Sequence, residues 1–259
     1  MKSAAKYIIY ASLTAILLGC FVAAYLAGQQ ARKPLVCKDI RIEVLDSSVN
    51  SFVTAADVRK YIDRSCGILV GQPLDSIDLT KVEAAVDSRS AVLKSEAFVT
   101  RDSILNITVT QRKPVVRFQK SDGGFYADAE GFIFPLQSSY SSHVQIIDGA
   151  IPLAANSGYK GDIEDPEERA WFKSVMNVVN FMEGNKTWKG KIVQIHVDKK
   201  GELTLVPREG NEVFLFGQPH SVPEKFSKME KYYTTIIPEK GAKKYKTVDV
   251  RFENQIVCK

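Results

Sequence analysis

The chain has 259 residues, of which 45% are hydrophobic and 25% are charged, and its formal net charge at pH 7 is +5. This length and composition suit one or two globular domains and exclude a predominantly disordered chain. The basic residues are spread along the sequence, and no block of Lys and Arg interleaved with aromatic residues favours nucleic-acid binding.

The first predicted element is a transmembrane helix over residues 7–27. This segment contains no Asp, Glu, Lys or Arg, and about 20 apolar residues are enough for a helix to cross the hydrocarbon layer. A cytoplasmic tail of residues 1–6, with Lys2 and Lys6, precedes it, and a tether of residues 28–36 follows it. Because a short basic segment before an apolar core is typical of a secretory signal, we expect the N-terminus inside the cell and the remainder outside.

Two other interpretations of this segment stay open. A cleaved signal peptide has an apolar core of about 7–15 residues, which is shorter than the run found here. The sequence LLGC at residues 17–20 resembles a lipobox, but a lipidated cysteine is normally followed by a polar tether, and Phe21 to Gly28 are almost entirely apolar. We therefore favour an uncleaved anchor, in which Cys20 is a small apolar residue within the helix.

A βααββ pattern follows over residues 37–112. Ile40 to Val44 and Ile104 to Gln111 alternate apolar and polar residues, as half-buried strands do. Thr54 and Asp78 are good capping residues and each precedes an apolar stripe at helical spacing. Two helices on one face of a small sheet would bury all of these stripes.

Three cysteines lie beyond the predicted span: Cys37, Cys66 and Cys258. An oxidising compartment permits disulfides, but an odd number leaves at least one thiol unpaired. Cys37 opens a predicted strand and Cys66 closes the helix that returns antiparallel to it, so both belong at one end of the same unit. Cys37–Cys66 is therefore the candidate disulfide, and three buried thiols are the alternative.

A second unit, rich in strands, is predicted over residues 113–259. Residues 166–184 are predicted as a helix, because an aspartate cap precedes them and a proline occupies the first turn. Another helix is predicted over residues 222–237, ended by Pro238. Residues 246–257 are predicted as one closing strand.

Four segments, taken in order, resemble a known family. The sequence LNITVTQRKPVVRF at residues 105–118 resembles the junction between the POTRA (polypeptide-transport-associated) domain and the β domain of the FtsQ/DivIB family of bacterial cell-division proteins. GFYADAEGFIFP at 124–135 and VQIIDG at 144–149 resemble the strands after that junction, and VDVRF at 248–252 resembles the closing strand.

The resemblance implies an α+β chain, with a single transmembrane helix, a POTRA domain and a mostly antiparallel β domain with flanking helices. It also implies a non-enzymatic scaffold in the cytoplasmic (inner) membrane at the division septum, with its folded domains in the periplasm. Such a scaffold would work through an open sheet edge, to which a strand of another protein can add.

The resemblance further implies that the closing strand, with the preceding helix, receives FtsB, which acts in complex with FtsL. Carried over residue by residue, the partner-facing positions are Phe252, Asn254 and Gln255, with Arg251 nearby. Phe252 stands where the best-known form has Tyr, and Asn254-Gln255 replaces small residues. The competing interpretation is that Phe252 is a core residue, since side chains alternate between the two faces of a strand. Residues 91–101 are the candidate edge for other division proteins.

No motif supports an enzyme, a cofactor or a metal site. His143, His196 and His220 fall in different predicted elements without metal-ligand spacing, and neither a nucleophile beside a base nor a phosphate-binding loop is visible. We therefore expect no catalytic, cofactor or metal residues. Two alternatives remain: a POTRA protein of outer-membrane assembly or secretion, which should carry tandem repeats or barrel strands, and a membrane-anchored wall enzyme.

Overall fold

The computed structural model describes the backbone of residues 2–31 and 35–259 and the side chains of residues 12–26 and 35–259. The helices are α1 Lys2–Ala31, α2 Ala55–Cys66, α3 Leu79–Asp87, α4 Pro166–Gly184, α5 Val222–Lys231 and α6 Ile237–Lys240, with a 3-10 turn at Leu74–Ser76 and a π-helical turn at Tyr232–Ile236. The strands are β1 Asp39–Val44, β2 Val92–Val99, β3 Ile104–Gln111, β4 Pro114–Lys120, β5 Gly123–Asp128, β6 Ile133–Pro135, β7 Gln145–Gly149, β8 Ile192–Val197, β9 Leu203–Pro207, β10 Val213–Gly217, β11 Thr247–Asp249 and β12 Val257–Cys258.

Helix α1 overlaps the predicted transmembrane segment, residues 7–27, and continues to Ala31. The side chains of residues 7–11 and 27, like those of the predicted tail at 1–6 and of the tether at 28–34, lie outside the described residues. In the segments whose side chains are described, no helix combines the length and the apolarity that a membrane span requires.

The first sheet has three strands in the order β1-β3-β2, with β3 parallel to β1 and antiparallel to β2. Both predicted caps are confirmed: the Thr54 hydroxyl accepts a hydrogen bond from the Asp57 amide at 3.2 Å, and Asp78 Oδ1 accepts one from the Lys81 amide at 3.0 Å. A single core is enclosed by α2, α3 and the inner face of β3, with the fully buried side chains Val58, Ile62, Val86, Leu105, Ile107 and Val109. The predicted βααββ unit is thus confirmed.

The second sheet has nine strands in the order β12-β11-β10-β9-β8-β7-β4-β5-β6. It is a mixed sheet: β7 is parallel to both β4 and β8, and β10 is parallel to β11. Parallel neighbours need a crossover, and these crossovers contain α4 between β7 and β8 and α5 between β10 and β11. The predicted domain is therefore α+β with flanking helices, but its sheet is less antiparallel than the sequence suggested.

The helix predicted to end at Pro238 instead continues to Lys240. A π-helical turn at Tyr232–Ile236 interrupts it, and Pro238 then lies in the first turn of α6. The residues before Pro238 keep helical backbone angles, so Pro238 does not end the helix.

Aromatic side chains join the two sheets. The Phe52 ring, which follows β1, makes edge contacts with Tyr126, Phe134 and Tyr140 at centroid distances of 5.4, 5.8 and 4.8 Å. Beside them, Arg112 Nη1 donates to Asp128 Oδ2 at 2.8 Å. The core of the small sheet therefore extends onto β5 and β6 of the large one.

The cysteines with described side chains are free thiols in the structure. The sulfurs of the candidate bridge, Cys37 and Cys66, contact different backbone carbonyls. Cys37 Sγ donates to the Asp39 carbonyl at 3.4 Å, and Cys66 Sγ donates to the Lys81 carbonyl at 3.8 Å. Burial raises the pKa of the Cys66 thiol and so favours its protonated form.

Candidate partner-binding edge

The C-terminal residues form a hairpin rather than the one predicted strand over residues 246–257. Strand β11 ends at Asp249, residues 250–256 form a loop, and β12 returns antiparallel to β11. Arg251, Phe252, Asn254 and Gln255 were all predicted to lie on the strand, and the structure places them in this loop.

Asp249 is the physical cause of this turn. Its Oδ1 accepts hydrogen bonds from the Arg251 amide at 3.1 Å and from Arg251 Nε at 2.9 Å, and its Oδ2 accepts from Arg251 Nη2 at 2.7 Å. An aspartate that binds the backbone two residues ahead competes with strand pairing and bends the chain. Burial would raise the pKa of Asp249, but these bonds and the Arg251 charge outweigh it and lower the pKa, so the carboxylate is ionised at neutral pH.

Arg251 lies on the β9 side of the hairpin. Its Nη1 also pairs with Glu202 Oε2 at 3.2 Å, and both acidic partners raise the pKa of the guanidinium. Gly217 leaves the space for this side chain, since a Cβ built there would lie 2.8 Å from Arg251 Cγ and Cδ. Arg251 thus fixes the loop from one side.

Lys228 of α5 fixes the loop from the other side. Its Nζ donates to the Phe252 carbonyl and pairs with Glu224 Oε1 at 2.7 Å. The lysine side chain is largely buried, and the Phe252 carbonyl and the Glu224 carboxylate both accept hydrogen bonds from its ammonium group. The loop is consequently held between the end of β11 and helix α5.

The predicted partner-binding residues divide into two groups. Asn254 and Gln255 line a groove between the loop and α5, together with Lys228 and Lys231. Phe252 is outside this groove but next to it in sequence, and 45% of its surface is exposed. The alternative that Phe252 is a core residue is therefore wrong. Val250, two residues before it, is fully buried.

The outer side of β12 is an open sheet margin. Lys259 and Thr247 exchange both backbone hydrogen bonds, at 2.9 and 3.0 Å. Because bonding alternates along an antiparallel strand, the amide and carbonyl of Cys258 face away from β11. The inner strand β11 is covered on both sides, by β10 and β12, so only β12 can accept a further strand without rearrangement.

Two other sheet margins, at β6 and β2, are partly occupied. At the opposite end of the nine-stranded sheet, Ile133 and Gly161 exchange two backbone hydrogen bonds of 3.0 Å. In the small sheet, Glu83 Oε1 accepts from the Ala97 amide on β2 at 2.7 Å, so a helix side chain covers part of the predicted edge at residues 91–101. Side chains that occupy backbone groups are one way in which proteins protect strand edges.

The sequence pattern missed two parts of this site. The segment Glu253 to Val257 predicts a continuation of the preceding strand, so the pattern does not indicate the return of the chain. The contact of Lys228 with the Phe252 carbonyl depends on the packing of α5 and has no local signal. The spacing of Asp249 and Arg251 could have indicated the turn.

Chemical groups suited to catalysis are dispersed. Within residues 12–26 and 35–259, no three His, Cys, Asp or Glu side chains are close enough to hold a metal ion. His196 Nδ1 lies 2.8 Å from Asp148 Oδ1, but the histidine is exposed and the pair has no nucleophile among its hydrogen-bond partners.

Comparisons with known proteins match the chain in two separate segments. A family model described as "FtsQ/DivIB, C-terminal related" matches residues 113–259, and one described as a POTRA-like domain matches residues 35–110. A comparison with curated proteins found no match. The first of the two matches covers more than half of the chain.

Proposed function

The chain belongs to the FtsQ/DivIB family, and from this we propose that it is a non-enzymatic scaffold of the bacterial division machinery that binds FtsB in complex with FtsL. Residues 7–27 anchor it in the cytoplasmic membrane, with the N-terminus inside. A POTRA domain over residues 37–112 and a β domain over residues 113–259 then lie in the periplasm at the septum. Turnover of purified peptidoglycan by the chain would contradict a non-enzymatic role.

One observation carries the proposal: the large sheet ends in an open margin at β12, and the loop that leads into this strand carries an exposed aromatic side chain. An extended segment of FtsB adds to the outer side of β12 through backbone hydrogen bonds, which give affinity without a fixed sequence. Phe252 is the apolar anchor, and Asn254 and Gln255 bind polar groups of the partner in the groove beside α5. This combination of a backbone edge and one aromatic contact is typical of strand addition.

Deleting residues 253–259 is expected to abolish co-purification of the FtsB–FtsL pair with the chain. The deletion removes β12 and both groove amides, Asn254 and Gln255, but leaves β11 and the small sheet in place. Circular dichroism of the truncated chain checks that the remaining sheet is folded. Undiminished capture would show instead that the partner pairs with β11, with β12 only covering that strand in the free protein.

A further inference from the structure

The loop after α2 carries two exposed apolar side chains on a rigid support. Ile68 is 73% exposed and Val70 is also exposed, whereas Leu69 between them is 3% exposed and inserts into the core of the small sheet. Gly67 and Gly71 bound this loop with φ angles of 78° and 90°, which other residues rarely adopt. The buried Leu69 therefore fixes its two neighbours in an outward-facing position.

The segment before β1 extends this apolar surface. The Cys37 amide donates to the Gln72 carbonyl at 2.9 Å, and the Leu74 amide donates to the Leu35 carbonyl at 2.8 Å. These bonds hold Leu35 and Val36 alongside the loop, and both side chains are exposed. We call Leu35, Val36, Ile68 and Val70 the apolar ridge.

The apolar ridge is close to α1 along the chain. Helix α1 ends at Ala31 and Leu35 is the fourth residue after it, so the connection spans about 14 Å at most. A helix anchored in a bilayer would therefore keep the ridge within reach of the membrane surface.

Three exposed basic side chains lie near the apolar ridge, among acidic neighbours. Arg64, in the last turn of α2, is exposed three residues before Gly67. The Lys38 amide donates to the Ser103 carbonyl at 2.8 Å, which places this exposed lysine beside the turn that carries the exposed Arg101. Anionic lipid headgroups attract basic residues, and apolar side chains beside them can enter the headgroup layer.

We propose that the apolar ridge is a second membrane contact, which inserts into the headgroup region of an anionic bilayer and fixes the orientation of the POTRA domain. This inference rests on the anchoring of α1 in the proposed function. Scattered exposed apolar residues are normal in proteins. This group differs because its two segments are joined by backbone hydrogen bonds, lie near exposed basic residues and follow α1 closely along the chain.

Tryptophan fluorescence in vesicles tests this contact. The full chain carrying Ile68→Trp is reconstituted into anionic vesicles with or without brominated acyl chains, which quench only nearby indoles. The matched control is Val49→Trp, because Val49 is also exposed but follows the opposite end of β1. We expect bromine to quench the fluorescence of the Ile68→Trp variant more than that of the control, and less strongly in vesicles of neutral lipid.

Three outcomes would overturn the proposal. Equal quenching of the two variants, in chains that float with the vesicles, would leave the anchor intact and refute the ridge contact. A blue-shifted but unquenched emission from the Ile68→Trp variant would mean that a protein surface covers the ridge. Failure of the chain to float with vesicles would refute both the anchor and the contact.

Discussion

Replacing Phe252 by glutamate is expected to weaken binding of the FtsB–FtsL pair by about 2–4 kcal/mol, or about 30- to 1,000-fold. The side chain is exposed in the free protein, so the substitution removes no core contact. In the complex, the same position would place a carboxylate against the apolar surface of the partner, where a charge without a counter-ion is costly. Titration of immobilised chain with the purified FtsB–FtsL pair measures the change.

Phe98→Glu is the matched control for this substitution. Phe98 is 46% exposed, almost the same as Phe252, but it lies on β2 of the small sheet. Its replacement should leave the affinity for FtsB–FtsL unchanged. Equal losses of affinity in the two variants would mean that binding does not depend specifically on the C-terminal loop. The proposed location of the site would then be wrong.

Replacing Phe52 by alanine is expected to lower the free energy of unfolding by about 3–5 kcal/mol, the usual cost of removing a buried phenylalanine. The side chain is 4% exposed and contacts the rings of Tyr126 and Phe134 in the other sheet and of Tyr140 in the segment after β6. The cavity would open between the two sheets, so we also expect the small sheet to unfold at a lower urea concentration than the large one. Urea titration followed by circular dichroism measures both effects.

Phe98→Ala is the control for stability, since the same side chain is removed from an exposed position. Its effect should lie within about 0.5 kcal/mol of zero, as for most surface substitutions. A comparably small effect of Phe52→Ala would show that the aromatic contacts do not couple the two sheets. The Arg112–Asp128 ion pair would then be one of the remaining connections to test.

The small sheet could be predicted from the sequence because its signals are local. Thr54 and Asp78 mark helix starts by their own hydrogen bonds, and the alternation in β3 identifies its buried face without reference to any other strand. The joint between the two sheets could not be predicted in this way. Phe52 and Tyr126 are far apart in sequence, and nothing in either segment shows that the two rings meet.

The C-terminal hairpin shows the same limit at the candidate site. Its apolar residues fit one long strand as well as two short ones, and the choice depends on the Asp249–Arg251 turn and on Lys228 from α5. Phe252 is exposed because β11 ends at Asp249, so the inward and outward alternation of side chains along the strand does not reach this residue. The parallel strand pairs of the large sheet could not be predicted either, because they depend on where the crossovers return the chain.

Amide hydrogen exchange of the full chain, with and without bound FtsB–FtsL, tests the central claim most directly. If a partner strand adds to the C-terminal margin, exchange should slow at residues 251–259 and along α5, and it should remain unchanged at residues 91–101. Slower exchange confined to the small sheet, with none at residues 251–259, would contradict the account.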